Sequence, residues 1–328
     1  MSLLCGVPTE PPLAYAIDTA VEAGLDHLVV NQRETHRWDL RLVTTDEGLT
    51  GSLVVGGAVH DLADVTGVYV RLTDPRELPE VDGFGRRPAD ASAAARILTF
   101  HELLLTWLEG ASCRVANRPS ASGSNLSKPY QAQLIAAAGL AVPDTLVTND
   151  PRLAAQEVDT HDEVIFKSTS SVRSIVRRVD GARRARLDRV RALPTQFQPR
   201  LLGPDVRVHV VGSEVFATEV VTSAVDYRYA GRDGLAATFR PVELPEEVAD
   251  ACRRVADALE LPFCGIDLKR LEDGRHVCFE VNPSPGYSYY QDHTGQPIAA
   301  ALVAWLASSD AVTAPTAGAA FGSRPRST

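Results

Sequence analysis

Several common signatures are missing from this 328-residue sequence. Its five cysteines, Cys5, Cys113, Cys252, Cys264 and Cys278, include no C-x-x-C pair. That argues against a disulfide framework, and they read as small buried hydrophobes or free thiols in a reducing compartment. No apolar run approaches the ~20 residues that span a bilayer. The first residues lack the basic-then-apolar pattern of a signal peptide. A cytoplasmic location with no membrane contact is therefore expected. Positive charge is also short, with 33 Lys and Arg against 42 Asp and Glu and a formal net charge of -9. Such a balance argues against a nucleic-acid partner. Neither G-x-x-x-x-G-K-[ST] nor G-x-G-x-x-G occurs, so neither common nucleotide fingerprint applies. There is no internal repeat.

Two short runs near the C-terminal end carry the most information: Gly265-Ile-Asp-Leu-Lys269 and Cys278-Phe-Glu-Val-Asn282. Between them lies Glu272-Asp273-Gly274, a tight-turn signal. With Asp273-Gly274 as a two-residue hairpin loop, Glu272 faces Arg275, and counting outward sets Asp267 opposite Glu280. Asn282 falls two residues further on the same face, because strand side chains alternate. Ile266, Leu268, Val277, Phe279 and Val281 then form a core face. Like charges directly opposed destabilise a sheet. A hard divalent cation between the two carboxylates removes that conflict, and oxygen-only ligands suit Mg²⁺. Solvated acids on an edge hairpin would give the same pattern, and these residues alone leave both readings open. The exit, Asn282-Pro-Ser-Pro-Gly-Tyr287, is rigid and polar, and loops leaving strand ends often carry binding groups.

A chain of this length supports two or three lobes. Up to about residue 115, short apolar runs alternate with helical stretches. Asp26 to Val30 and Val65 to Val70 read as strands, and Tyr15 to Ala23 and Ala91 to Leu108 as helices. This is an α/β lobe with a parallel sheet. Leu78 to Asp90 reads as an exposed loop. A lobe boundary is expected at the turn-rich Asn117 to Ser124. A helix follows from Ser127 to Ala138, with Ser127 as N-cap, Pro129 in the first turn and Gly139 as the stop. Glu163 to Ser168 and Ser174 to Val179 read as strands around a serine-rich loop. Val206 to Val211 and Glu214 to Val221 form a second hairpin across Gly212-Ser213, with Arg207 facing Thr218. Glu246 to Leu259 is an amphipathic helix, and a last helix runs near Pro297 to Leu306. Residues 310–328 are small and polar and are expected to be a disordered tail.

Cationic residues recur at suggestive positions. Lys128 opens a helix, where backbone N–H groups and the dipole favour anions. Lys167 ends an apolar strand and faces the loop Ser168-Thr-Ser-Ser-Val-Arg-Ser174, which offers hydroxyls and backbone N–H groups to phosphate. Arg173, Arg207 and Arg228 carry planar forks suited to multi-oxygen anions. Solvated lysines, or an arginine paired to Asp205 or Asp226, remain the plain alternatives.

The order of these elements resembles the ATP-grasp superfamily, nearest its RimK-like branch with graspetide-type, peptide-modifying ester and amide ligases. The residues that carry the resemblance are Lys128 at a helix start, Ala138-Gly-Leu-Ala-Val-Pro143, Phe166-Lys167, Phe197-Gln-Pro-Arg-Leu201, Asp205-Val-Arg207 with Val210-Val-Gly212, Asp226-Tyr-Arg228, and Asp267, Glu280 and Asn282-Pro283. It extends over about residues 117–305. The resemblance implies a mixed α/β (α+β) fold in which two lobes clamp ATP between antiparallel sheets behind an N-terminal α/β lobe. The implied bounds are 1–116 for the N-terminal lobe, 117–197 for the central one, 198–309 for the C-terminal one with the metal site, and 310–328 for the tail.

It also implies roles. Lys128, Lys167, Ser168 and Ser170 would meet ATP phosphates. Gln198 to Leu201 would line the adenine cleft, with backbone groups of Pro199 and Leu201 reading the base edge, and Asp205 would stand near the nucleotide. Arg207 and Arg228 would be the catalytic arginines on the transferring phosphate or acyl phosphate. Asp267, Glu280 and Asn282 would hold magnesium, two ions with manganese as a substitute. Ser284 to Tyr287 would approach the acceptor. Two departures stand out: Ser168 to Ser174 contains no glycine, where many members have a glycine-rich loop, and Pro199 replaces the usual acid of the adenine strand.

The implied reaction converts a carboxylate to an acyl phosphate at the expense of ATP, and an amine or hydroxyl then displaces phosphate. Such chemistry relies on charge neutralisation and in-line positioning. The substrates would be small molecules or a precursor peptide, and the assembly a homodimer. A non-catalytic nucleotide-binding scaffold, or a phosphotransferase on the same fold, is the competing reading. Tyr287, Tyr289 and Tyr290 either wall a substrate pocket or pack the last helix.

Overall fold

The computed structural model describes residues 1–46, 48–82, 90–169, 175–222, 227 and 234–308. The N-terminal part runs β1 (Ser2–Gly6), α1 (Pro11–Glu22), β2 (His27–Asn31), β3 (Asp39–Thr45), β4 (Gly48–Val55), β5 (Ala58–Asp61), β6 (Gly67–Arg71), α2 (Pro79–Asp82), α3 (Ala91–Gly110) and β7 (Arg114–Ala116). Strands β2-β1-β6-β7 form the expected parallel sheet. Its two faces are covered differently. On one side Leu3, Cys5 and Val68 pack with Phe100, Leu104 and Trp107 of α3. On the other, Leu4 and Tyr69 pack with α1 and with Ile298, Leu302 and Leu306. Proline at the first turn starts α1, and the Asp90 side chain caps α3 by accepting from Ser92 and Ala93 N–H. The meander β3-β4-β5 was not anticipated, and the expected loop from Leu78 contains α2, with residues 83–89 lying outside the described ones.

Next come α4 (Lys128–Ala137), β8 (Leu146–Thr148), α5 (Pro151–Thr160), β9 (Val164–Ser168), β10 (Arg177–Arg178), α6 (Gly181–Arg184) and β11 (Thr195–Pro199). Strands β10-β9-β11-β8 make an antiparallel sheet. Phe166 and Phe197 turn to one face, against Ala154 and Val158 of α5. Alternation sends Lys167, Gln196 and Gln198 to the other face. Ser127 precedes α4 as expected, but its side chain makes no capping hydrogen bond. Of the strand expected from Ser174 to Val179, Arg177–Arg178 forms β10, and Ser174 lies outside the described residues.

The remainder is β12 (Asp205–Val211), β13 (Glu214–Thr222), β14 (Ala237–Val242), α7 (Glu246–Ala258), β15 (Phe263–Arg270), β16 (His276–Asn282), α8 (Tyr287–Thr294) and α9 (Ile298–Ala307). Strands β14-β13-β12-β15-β16 form a five-stranded antiparallel sheet. Its apolar face, with Val206, Val208, Ile266, Leu268 and Val281, packs on Cys252, Val255 and Ala256 of α7 and Ile135 of α4. Helix α9 belongs to another core: Ile298 and Leu302 bury against Leu4, Leu13 and Tyr69, which ties this helix to the parallel sheet.

The β15–β16 hairpin departs from the expected turn. Leu271 N–H bonds Arg275 C=O at 2.8 Å and Gly274 N–H bonds Leu271 C=O at 3.0 Å, enclosing three loop residues rather than two. Gly274 has φ +86, the left-handed conformation such a loop needs at its last position. Glu272 therefore does not face Arg275. The register is one residue off until an irregularity between Asp267 and Leu268 restores it. Phe279 is the extra residue, only half-buried, and Cys278 takes the core position expected for it. The freed Cys278 N–H bonds Ala141 C=O at 2.7 Å.

All five cysteines are buried and free. Burial pushes the Cys113 thiol up to about 11 and the Cys252 thiol up to about 12, as for inert core thiols. Among the described residues no helix is long and apolar enough to cross a membrane.

Candidate functional site

Asp267 and Glu280 are direct cross-strand partners, as the sequence predicts. Their repulsion is offset from both flanks. Arg207 Nη1 donates to Asp267 Oδ1 at 2.7 Å, and Lys128 Nζ donates to Glu280 Oε2. Lys167 Nζ, from the other antiparallel sheet, stands 3.9 Å from the same oxygen. Residues separated by more than a hundred positions thus converge where the two sheets meet. Lys167 and Arg207 are buried and Lys128 is half-buried, so these charges interact in a poorly screened setting.

Each side chain is held there by an identifiable device. The Gln131 amide, one turn after Lys128, pairs with the β16 backbone: Nε2 donates to Val281 C=O at 2.9 Å and Oε1 accepts from Val281 N–H at 2.9 Å. This locks the start of α4 beside Glu280. On β12, Arg207 lies between Thr218 and Asp267. Burial alone would lower its pKa, but Asp267, with Tyr290 and Tyr227, outweighs that and raises it. One row along, Lys269 pairs with Asp205 at 2.9 Å. Asp205 therefore pairs with a lysine, and Arg207 is paired to a carboxylate, as the plain alternative had it, with Asp267 in place of Asp205.

Asn282 pairs with Gly265, and its Oδ1 accepts from Ser284 N–H at 2.9 Å, which shapes the strand exit. The N-terminal part grips the same exit. Arg71 Nη1 donates to Ser284 Oγ at 2.6 Å and Pro285 C=O at 3.2 Å, while its Nε donates to Glu10 at 2.9 Å. Asn117 Nδ2 donates to Pro283 C=O at 2.6 Å and Phe263 C=O at 2.5 Å.

On the opposing sheet, Lys167 lies across from Gln196 and Ser168 across from Thr195. Gln198 faces the same way but donates to Thr145 Oγ1 at 2.8 Å. Pro199 ends β11 opposite Val164, and Leu201 follows, half-buried. Ser170, Arg173, Asp226 and Arg228 lie outside the described residues. Of the tyrosines, Tyr287 is core, its hydroxyl donating to Pro12 C=O at 2.7 Å. Tyr290 faces Arg207, and Tyr289 is exposed.

Among the described residues no group of three His, Cys, Asp or Glu side chains gathers as a metal cluster. The set at hand is two carboxylates with a nearby amide oxygen. All-oxygen donors of this kind fit a hard divalent ion. Sequence reasoning missed Arg71, Glu10, Asn117, Gln131 and Lys269. A glutamine on the inward face of an apolar helix was the one local signal, since a buried amide requires partners.

Residues 127–306, more than half of the chain, match the RimK-like ATP-grasp domain. Human N-acetylaspartylglutamate synthase A is 28% identical over 197 residues, 56% of this chain and 50% of that protein. Ribosomal protein bS6–L-glutamate ligase of Salmonella paratyphi B is 30% identical over 196 residues, 53% of this chain and 61% of that protein. The match thus spans about half of the first relative's length. Among solved structures, the ATP-grasp ligase PsnB complexed with minimal precursor, Mg and ADP superposes with TM-score 0.74 at 26% identity, covering 93% of this chain and 96% of that one. The macrocyclase MdnC bound with precursor peptide MdnA, from Microcystis aeruginosa MRC, shares the fold with TM-score 0.73 at 18% identity over 93% and 99% of the two chains. The chain belongs to the RimK-like ATP-grasp family.

Proposed function

We propose that the protein is an ATP- and magnesium-dependent ligase that joins a carboxylate to an amine or hydroxyl of a peptide. The observation that carries this is the convergence of Lys128 and Lys167 on Glu280, with Arg207 on Asp267 beside it. ATP would lie between the two antiparallel sheets, with its adenine along Gln198 to Leu201. Lys128 and Lys167 would leave Glu280 for phosphate oxygens, a charge-assisted exchange. Asp267, Glu280 and Asn282 would hold magnesium, as two ions that manganese can replace, and the metal would neutralise triphosphate charge. Ser168 and Ser170 would offer hydroxyls to the phosphates, and Asp205 would hold Lys269 near the nucleotide.

The carboxylate oxygen attacks the γ-phosphorus and ADP leaves, giving an acyl phosphate. The acceptor then attacks the acyl carbon, phosphate departs, and the acceptor proton passes to phosphate or solvent. Arg207 and Arg228 would stabilise the oxygens in transfer. A peptide substrate is favoured by the likeness to PsnB, which has been solved in complex with a precursor peptide. The division into lobes at 116, 197 and 309 belongs to this reading, as do a cytoplasmic location and a homodimer.

The test is ADP release with magnesium, ATP and a panel of acidic peptides, with products weighed by mass spectrometry. ADP formation coupled to loss of one water per new ester or amide is expected. ADP release indifferent to every acceptor, or AMP as product, contradicts the proposal.

A further inference from the structure

Arg207 sits in a socket built from two strands and a helix. Its guanidinium crosses β15 at Gly265, where a β-carbon would come within 1.9 Å of Nη2 and 2.4 Å of Cζ. Only glycine leaves that space open. Nη1 is held by Asp267 at 2.7 Å, and Nε stands 3.5 Å from His209 Nε2. The Tyr290 ring covers the group, its centroid 5.6 Å from Cζ. His209 packs edge-on to that same ring at 5.0 Å. The Tyr290 hydroxyl is 2.6 Å from the Tyr227 hydroxyl. His209 is completely buried, and its Nδ1 has no hydrogen-bond partner among the described residues.

A flexible arginine gains from such confinement. Among the described residues two of its five N–H groups are turned to Asp267 and His209, and the Nη2 edge is the part an anion would meet. We propose that Tyr290 and His209 are positioning residues that hold the Arg207 guanidinium across Gly265 and aim it at the phosphoryl group in transfer. The inference rests on the ligase reading above. The buried polar imidazole, which contributes no second hydrogen bond, is then explained by its place beside Nε.

The test compares kcat and KM for ATP in magnesium-dependent ADP release by wild type, Tyr290→Leu, Tyr290→Phe and His209→Leu, with melting temperatures measured alongside. Loss of the ring in Tyr290→Leu should lower kcat roughly 10- to 100-fold, the range expected for a misplaced catalytic group, with KM for ATP changed less than about threefold. Tyr290→Phe keeps the ring over the cation and should stay within about fivefold of wild type. His209→Leu should lower kcat in the same direction as Tyr290→Leu. A purely structural role would lower melting temperature and active fraction but leave kcat per folded molecule unchanged. If Tyr290→Leu does not fold, His209→Leu carries the same test through Nε. An active wild type with wild-type kcat in the folded leucine variants overturns this inference alone. A wild type that releases no ADP with any acceptor overturns the ligase reading, and this inference with it.

Discussion

His209 lies sealed against a guanidinium, and burial followed by Arg207 holds its imidazole well below 6.5. His101 and His276 shift the same way, chiefly through burial. Burial makes these groups take up protons less readily in the folded protein, whereas their unfolded counterparts do so as pH falls through 6.5. Their contribution to stability is therefore complete above that pH and is lost as pH falls toward the depressed folded values. Calorimetry should find a lower melting temperature at about pH 5 than at about pH 7.5. His209→Gln should narrow that difference. An identical pH dependence in the variant contradicts the assignment of a neutral, buried imidazole.

At the scale of elements, the β15–β16 hairpin shows what the sequence can convey. The alternation of Ile266, Leu268 and Val281 set the buried face, and Asp267 opposite Glu280 followed from counting. The loop length did not, because Asp273-Gly274 serves a three-residue loop as readily as a two-residue one. An extra residue at Phe279 compensates, and no local pattern announces a bulge. The helices α5, α6 and α8 and the strands β1, β7 and β14 also went unseen. Strand β7 has three residues and α6 four, too few to show a period, whereas α5 is ten residues long and amphipathic, a signal that was present and passed over. Arg71 is the clearest omission, since its role exists only once β6 ends beside the Ser284 loop. That loop follows Asn282 directly, so Arg71 acts as an outer support of the proposed metal ligands. Arg71→Ala should raise the magnesium needed for half-maximal ADP release by roughly 10-fold, the lower range for lost outer support. Magnesium titration checks this, with a thermal melt to establish folding. An unchanged midpoint in a folded variant contradicts it.

The whole molecule is organised around one meeting point. The central antiparallel sheet contributes Lys167, the five-stranded sheet contributes Arg207, Asp267 and Glu280, and α4 contributes Lys128 while packing into the core of the five-stranded sheet. The N-terminal sheet shares a core with α9 and grips the Asn282 exit through Arg71 and Asn117. The five acids and bases at the centre were legible in the sequence as residue types in order, but their distances were not, because they depend on how separate sheets approach each other. The paired charges would give way to the nucleotide and its metal, so ATP uptake should depend on both.

Isothermal titration calorimetry of ATP into the protein, with and without magnesium, tests this most directly. The account predicts saturable one-to-one uptake with magnesium, and a roughly 10- to 100-fold weaker affinity for Lys167→Met, which removes a charged hydrogen-bond donor. Heats no greater than dilution for the wild-type protein in magnesium would contradict it.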